Sequence, residues 1–278
     1  MTTVQSYKTE VAKYGKKDAV IALCYVVYVC VMLFFIDSIA AGIITAMGVA
    51  GTHTGVLVYN TVVALPMVIP CFVIVLARKE KLSSIGIHKQ HLWAALRLGL
   101  LFSAFAILLT YRGFLPGLLQ GGQLQSFSMI MFWLLCTAIL AAWEDVVFSG
   151  YVQTRLYGLV KQDILAVLIG ALLFAVMHLP SRIAFSGAAA FNSFLLLETG
   201  GWIIMHTIHN LLFRKYFSIV PVILVHTFVN LAQVRLWVPP APAGLDDVIS
   251  TSLIVLAVGA WMLYSYYRSR KMPAPEES

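Results

Sequence analysis

The chain has 278 residues, 60% of them hydrophobic and 11% charged, with a mean hydropathy of +0.88. Such a composition excludes a water-soluble globular domain and places the chain in a bilayer. The formal net charge of +7 comes from basic residues grouped at the ends of apolar runs. That grouping is a topological signal and excludes a nucleic-acid-binding face.

In chain order, residues 1–18 form a basic segment, followed by apolar runs at 19–36, 55–77, 92–110, 127 to about 156, 164–179, 194–213, 219–237 and 248–267. A helix crosses the hydrocarbon layer with about 20 apolar residues, so these runs predict an all-α fold, a polytopic transmembrane bundle of about eight spans. The first run is long and no small-residue cleavage site follows it before Asp37, which reads as a retained span ended by Asp37 rather than a signal peptide. Pro66 and Pro70 should kink the second span, whereas Pro221 falls in the first turn of the seventh, where a missing N–H costs nothing. Arg97, near the start of the third run, reads as a snorkelling boundary residue. Cys24, Cys30, Cys71 and Cys136 all lie inside apolar runs, have no CxxC spacing, and read as buried thiols.

Counting Lys and Arg on alternate sides of eight spans gives 16 on one side and three, Arg112, Arg182 and Arg235, on the other. The positive excess marks the cytoplasmic face, so both termini are expected there. The organisation is then a cytoplasmic segment 1–18, one membrane domain 19–267, and a cytoplasmic tail 268–278. The expected location is integral, multi-pass, in the cell membrane if the source is prokaryotic. Nothing in the sequence sets the oligomeric state.

Acids and histidines in the hydrocarbon zone cost several kcal/mol each unless paired, so they face a cavity or one another. Measured from the basic markers at the helix ends, Glu144, His178 and His226 lie roughly 16 to 23 Å deep at 1.5 Å of rise per residue and can share one layer. Glu144 and Asp145 are neighbours pointing about 100° apart, so one is expected to do chemistry and the other to support it. His226 and Asn230 are four apart and address one face. A buried carboxylate beside imidazoles can hold and deprotonate a water, and an amide N–H can stabilise the oxyanion. Equally, Glu144, His178 and His226 have the donor atoms of a zinc site with an open position. The residues leave the two readings open. His206 and His209, with Glu198 nearby, read as interhelical hydrogen-bonding residues.

Three segments carry a family resemblance. Glu144-Asp145-Val146-Val147-Phe148-Ser149, Phe174-Ala175-Val176-Met177-His178 and His226-Thr227-Phe228-Val229-Asn230 resemble the Glu-Glu-x-x-x-Arg, Phe-x-x-x-His and His-x-x-x-Asn motifs of the CPBP intramembrane proteases. These comprise CAAX prenyl proteases and bacteriocin-processing enzymes, also called the Abi family. Gly150, Pro221 and the segment Leu82 to Gly86 extend the likeness, which covers about 81–234. The resemblance implies an intramembrane peptidase acting on a peptide or membrane-protein substrate at or within the bilayer. It implies Glu144 as general base, His178 and His226 holding the water, Asn230 as oxyanion donor and Asp145 in support. Zinc is one reading of its cofactor requirement and a metal-free glutamate mechanism the other. The chain departs from the motif at Asp145, which replaces a Glu, and at Ser149, which replaces the Arg. Arg155 lies too far along the helix to stand in for that Arg, and Arg182 is a candidate. Because Ser149 cannot form the ion pair, the alternative reading is a non-catalytic immunity, scaffold or regulatory protein.

Overall fold

The computed structural model describes residues 7–109, 114–119, 121–186, 193–234 and 236–238. The expected eighth span at 248–267, the tail 268–278 with its basic residues, and the markers Arg112 and Arg235 lie outside the described residues. The described elements are almost wholly helical. They run α1 (Tyr7–Val11), α2 (Lys16–Ala46), α3 (His53–Ala77), a 3-10 turn at Leu82–Ile85, α4 (Leu92–Leu109), α5 (Phe114–Leu119), β1 (Gln123–Leu124) and α6 (Phe127–Asp145). A π-helical segment, Val146–Val152, continues α6 into α7 (Gln153–Leu156), followed by α8 (Asp163–Met177), α9 (Leu179–Ser186), α10 (Ser193–Tyr216), α11 (Val220–Val234) and β2 (Trp237–Val238). The two short strands pair antiparallel, Gln123 with Val238 and Leu124 with Trp237.

Four helical stretches are long and apolar enough to cross a membrane: Lys16–Ala46, His53–Ala77, Phe127–Leu156 and Asp163–Ala184. Leu92–Phe105 and Val220–Ala232 are shorter apolar helices. A rise of about 1.5 Å per residue leaves such helices short of a hydrocarbon core of about 30 Å. α10 is long enough but less apolar, since it carries Glu198, His206, His209, Arg214 and Lys215. The membrane character of the chain is therefore carried by four full-length helices among the described residues.

Several boundaries differ from the sequence expectation for physical reasons. α2 runs ten residues past Ile36, because Asp37 does not have to leave the bilayer: its Oδ1 accepts a hydrogen bond from the Tyr59 hydroxyl of α3. A partnered acid can stay inside a helix where a lone one could not. α11 ends at Val234, and Trp237 packs in β2 instead of extending the span. The thiols are not uniformly buried: Cys71 and Cys136 are, Cys30 is half-buried, and Cys24 is exposed on the outer face of α2.

α3 stays one helix through both prolines. Pro70 has no N–H for the Pro66 carbonyl one turn back, and the Tyr28 hydroxyl of α2 donates to that carbonyl instead, at 3.0 Å. Tyr25 donates to the neighbouring Met67 carbonyl. Unpaired carbonyls are costly in lipid, so neighbouring side chains take over the lost bonds.

Packing brings the motif segments to the middle of the molecule. α11 lies against α4 and α6, α10 against α8, α3 against α2 and α6, and α9 against α2. Every residue of the π-helical segment is buried. A Cβ on Gly150 would stand 2.8 Å from the Ile85 carbonyl oxygen, so only glycine lets this segment approach the Leu82–Ile85 turn. That turn ends at Gly86 with φ +79°, and its carbonyl accepts from the Ile219 N–H at 3.1 Å, tying it to the start of α11.

Candidate active site

The π-helical segment begins directly after the two acids. Such segments are uncommon and concentrate at functional sites, because the extra residue turns side chains relative to a regular helix. Asp145 is fully buried. Its Oδ2 accepts from His226 Nδ1 at 3.1 Å, and its Oδ1 lies 3.3 Å from His209 Nδ1. The latter pair is close enough for Coulomb attraction but misaligned for a hydrogen bond, and both atoms lack a hydrogen-bond partner.

Glu144 is less enclosed, with its side chain 13% exposed, and its Oε2 stands 3.5 Å from His226 Nε2. One imidazole therefore touches two neighbouring carboxylates through its two nitrogens. Since the Asp145 carboxylate can only accept, His226 Nδ1 carries a proton and donates to it, and Nε2 faces Glu144 Oε2 across the 3.5 Å contact.

His178 sits at the joint between α8 and α9. Its Nδ1 lies 2.9 Å from the Phe174 carbonyl. A carbonyl only accepts, so Nδ1–H donates and Nε2 is left as the basic nitrogen. The ring stacks on Trp202 of α10 with centroids 4.3 Å apart. Phe174 contacts both motif histidines, with its ring centroid 4.8 Å from the His178 ring and 6.1 Å from that of His226. Asn230 lies one turn beyond His226 on α11 and is half-buried.

Glu144, Asp145 and His226 are thus in direct contact, and His178 and His226 share a ring contact with Phe174. What the sequence reading missed is the part played by α10. His206 and His209, three apart and on one helix face, are both fully buried against this cluster. The His206 ring stacks on Phe174 at 4.0 Å with an interplanar angle of 3°, and the His209 ring is 4.8 Å from that of His226. Among the described residues, one set of three acids and histidines brings one ligand atom from each within 4.8 Å of the others, and it is Asp145, His206 and His209. The expected zinc set of Glu144, His178 and His226 does not converge in that way. The sequence signal for α10 was present, two histidines and a glutamate in one helix, but Glu198 turns away to pair with Arg182 at 2.6 Å. That pair also removes Arg182 as a substitute for the motif arginine. Ser149 is fully buried and its hydroxyl has no hydrogen-bond partner among the described residues. Arg155 is turned to the other side of the segment, where it binds Glu80 and Ser84.

The arrangement is that of a helical membrane hydrolase: a carboxylate facing an imidazole whose far nitrogen is held by a second, sealed carboxylate. The comparison with known families agrees. Residues 125–232 match the family model Type II CAAX prenyl endopeptidase Rce1-like. This segment contains all three motifs and shows the likeness to the CPBP and CAAX protease family, a family of proteases. The match starts after the Leu82 to Gly86 segment, so that part of the likeness rests on the sequence alone. No curated protein and no solved structure matches the chain.

Proposed function

We propose that the protein is a multi-pass intramembrane endopeptidase that hydrolyses a peptide bond at or within the bilayer by means of a Glu144-activated water. The observation that carries the reading is the contact of His226 with both acids, Nε2 to Glu144 at 3.5 Å and Nδ1 to Asp145 at 3.1 Å. A water beside this pair lies within hydrogen-bond reach of both Glu144 Oε2 and His226 Nε2. Glu144 accepts a proton from such a water, which leaves an oxygen lone pair free to face a scissile carbonyl.

In the hydrolysis, the water oxygen forms a bond to the carbonyl carbon while Glu144 takes its proton, and the carbonyl oxygen becomes an oxyanion. Asn230 is the amide donor on the same α11 face for that oxyanion. Collapse breaks the C–N bond as Glu144 returns the proton to the leaving nitrogen. Asp145 orients His226 through its Nδ1 contact, and His178 Nε2 is the further basic nitrogen of the site. Zinc on Glu144, His178 and His226 would supply a Lewis acid in the same place; the direct contacts of His226 with both acids support the metal-free route.

The substrate class is a peptide of the CAAX type or a leader or bacteriocin peptide presented from the bilayer, and the protein itself has about eight spans with both termini cytoplasmic. The test uses the full chain in liposomes with farnesylated CAAX peptides and with leader peptides, compared with Glu144→Gln. Cleavage that falls by about 10²-fold or more, the scale of a lost general base, is the expected result. Cleavage equal in wild type and variant refutes the assignment. The unpartnered Ser149 favours a second reading, a non-catalytic regulatory protein, and an unimpaired biological role of Glu144→Gln would support it.

A further inference from the structure

The remaining polar feature of the interior is on α10. His206 is completely buried, and neither of its ring nitrogens has a hydrogen-bond partner among the described residues; the same holds for His209. An imidazole sealed from solvent loses its hydration, and leaving its N–H and lone pair unpaired costs about 1–3 kcal/mol per group. A group bound between the two rings would satisfy those atoms. His209 Nδ1 lies 3.3 Å from Asp145 Oδ1, and one ring nitrogen of His206 lies within 4.8 Å of a ligand atom of each of the other two residues.

We propose that Asp145, His206 and His209 form a binding site for a divalent transition metal of the zinc type, behind the Glu144–His226 pair. Three atoms within 4.8 Å of one another have a common point no more than about 2.8 Å from each. Rotamer adjustments of less than 1 Å then reach the 2.0–2.1 Å of Zn–N and Zn–O bonds. In a tetrahedron with bonds of that length, two ligand atoms stand about 3.3–3.4 Å apart. The His209 Nδ1 to Asp145 Oδ1 distance is 3.3 Å, which matches that edge and also accounts for a close pair that is not aligned as a hydrogen bond.

The support around the set is that of a built site. His206 and His209 are i, i+3 on one face of α10, the His206 ring is held flat on Phe174, and the second oxygen of Asp145 is occupied by His226 Nδ1. A carboxylate that bridges a metal and a histidine orients both. The donor set, two imidazoles and one carboxylate, suits zinc and excludes magnesium and calcium, which take oxygen ligands. Its three protein ligands leave the fourth position open. An ion here is distinct from one held by Glu144 and His178, and its presence does not depend on the chain being a peptidase.

The test uses the purified full chain in detergent, stripped with chelator and titrated with Co²⁺ and Zn²⁺, with metal content and visible absorption as readouts. About one ion per chain with a tetrahedral Co²⁺ spectrum is expected, lost in both His206→Phe and His209→Asn and kept in Glu144→Gln and His178→Asn. Wild type that takes up no stoichiometric ion, or binding that survives both α10 substitutions, overturns the proposal. Loss in Glu144→Gln or His178→Asn with retention in the α10 variants also overturns it, since the ion then belongs to the neighbouring residues. The His206→Phe substitution keeps the stack on Phe174; if either α10 variant fails to fold, the stoichiometry and spectrum of the wild type decide. Peptide cleavage is measured separately, so a metal-free peptidase and a metal-binding non-peptidase are told apart.

Discussion

Removing the Arg155 guanidinium should destabilise the protein more than any change at the motif position Ser149. Arg155 is 1% exposed. Its Nη2 pairs with Glu80 and donates to Ser84 Oγ at 3.0 Å, while its Nη1 reaches the Ser84 carbonyl at 3.2 Å and Thr154 Oγ1 at 2.6 Å. The cation also lies over the rings of Tyr14 and Tyr151, 4.5 and 4.6 Å from their centroids. Arg155→Met keeps the aliphatic stem and deletes every donor. Breaking a buried ion pair costs about 3–5 kcal/mol. Glu80 is 16% exposed and retains Arg78 Nε at 2.9 Å, so the loss should sit near the lower figure, about 3 kcal/mol. Glu80→Gln strands a fully buried cation and should cost at least as much. The double variant should fall short of the sum by about 1 kcal/mol or more, because each single change already removes the shared interaction. The assay is unfolding in mixed detergent–SDS micelles followed by tryptophan fluorescence. An Arg155→Met variant within about 0.5 kcal/mol of wild type, or additive single effects, refutes the reasoning.

Three further outcomes follow from single contacts. Ser149→Ala removes a buried hydroxyl that has no hydrogen-bond partner among the described residues, so the unfolding midpoint should stay unchanged or rise, by at most about 1 kcal/mol in stability. Gly150→Ala drives a Cβ to 2.8 Å from the Ile85 carbonyl oxygen and should cost about 1–3 kcal/mol in the same unfolding assay. Tyr28→Phe takes away the 3.0 Å donor to the Pro66 carbonyl and should cost about 0.5–1.5 kcal/mol, whereas restoring the backbone bond with Pro70→Ala should offset that loss.

The helices were legible because apolar runs bounded by basic residues have one cheap solution in a bilayer, and α3 and α4 match their expected bounds closely. The site was partly legible: the contact of Glu144 with His226 follows from two motif residues, but the α10 histidines do not. The depth count explains why. It took basic residues as surface markers, yet Arg155 is sealed by Glu80 and Ser84, and Arg214 is 6% exposed and paired with Asp163 at 2.6 Å. A marker that is itself buried sets no surface. Asp37 failed as a boundary for the same reason, since Tyr59 supplies the partner that sequence cannot show.

Adjacent acids on a helix point about 100° apart, and from sequence that separation assigns them to different surroundings. The fold resolves the conflict with the imidazole rather than with the helix. His226 enters from α11 so that its two ring nitrogens, on opposite edges, meet one acid each, Asp145 at the sealed side and Glu144 at the less enclosed side. The division of labour then follows from burial. Asp145, without solvent and held between His209 and His226, is suited to stay charged as an acceptor that fixes other groups. Glu144, with 13% of its side chain exposed, is the acid that a water and a peptide can reach. The shortening from Glu to Asp at position 145 fits this geometry, because both of its oxygens already have a histidine within 3.3 Å. An acid one methylene longer would displace one of those rings.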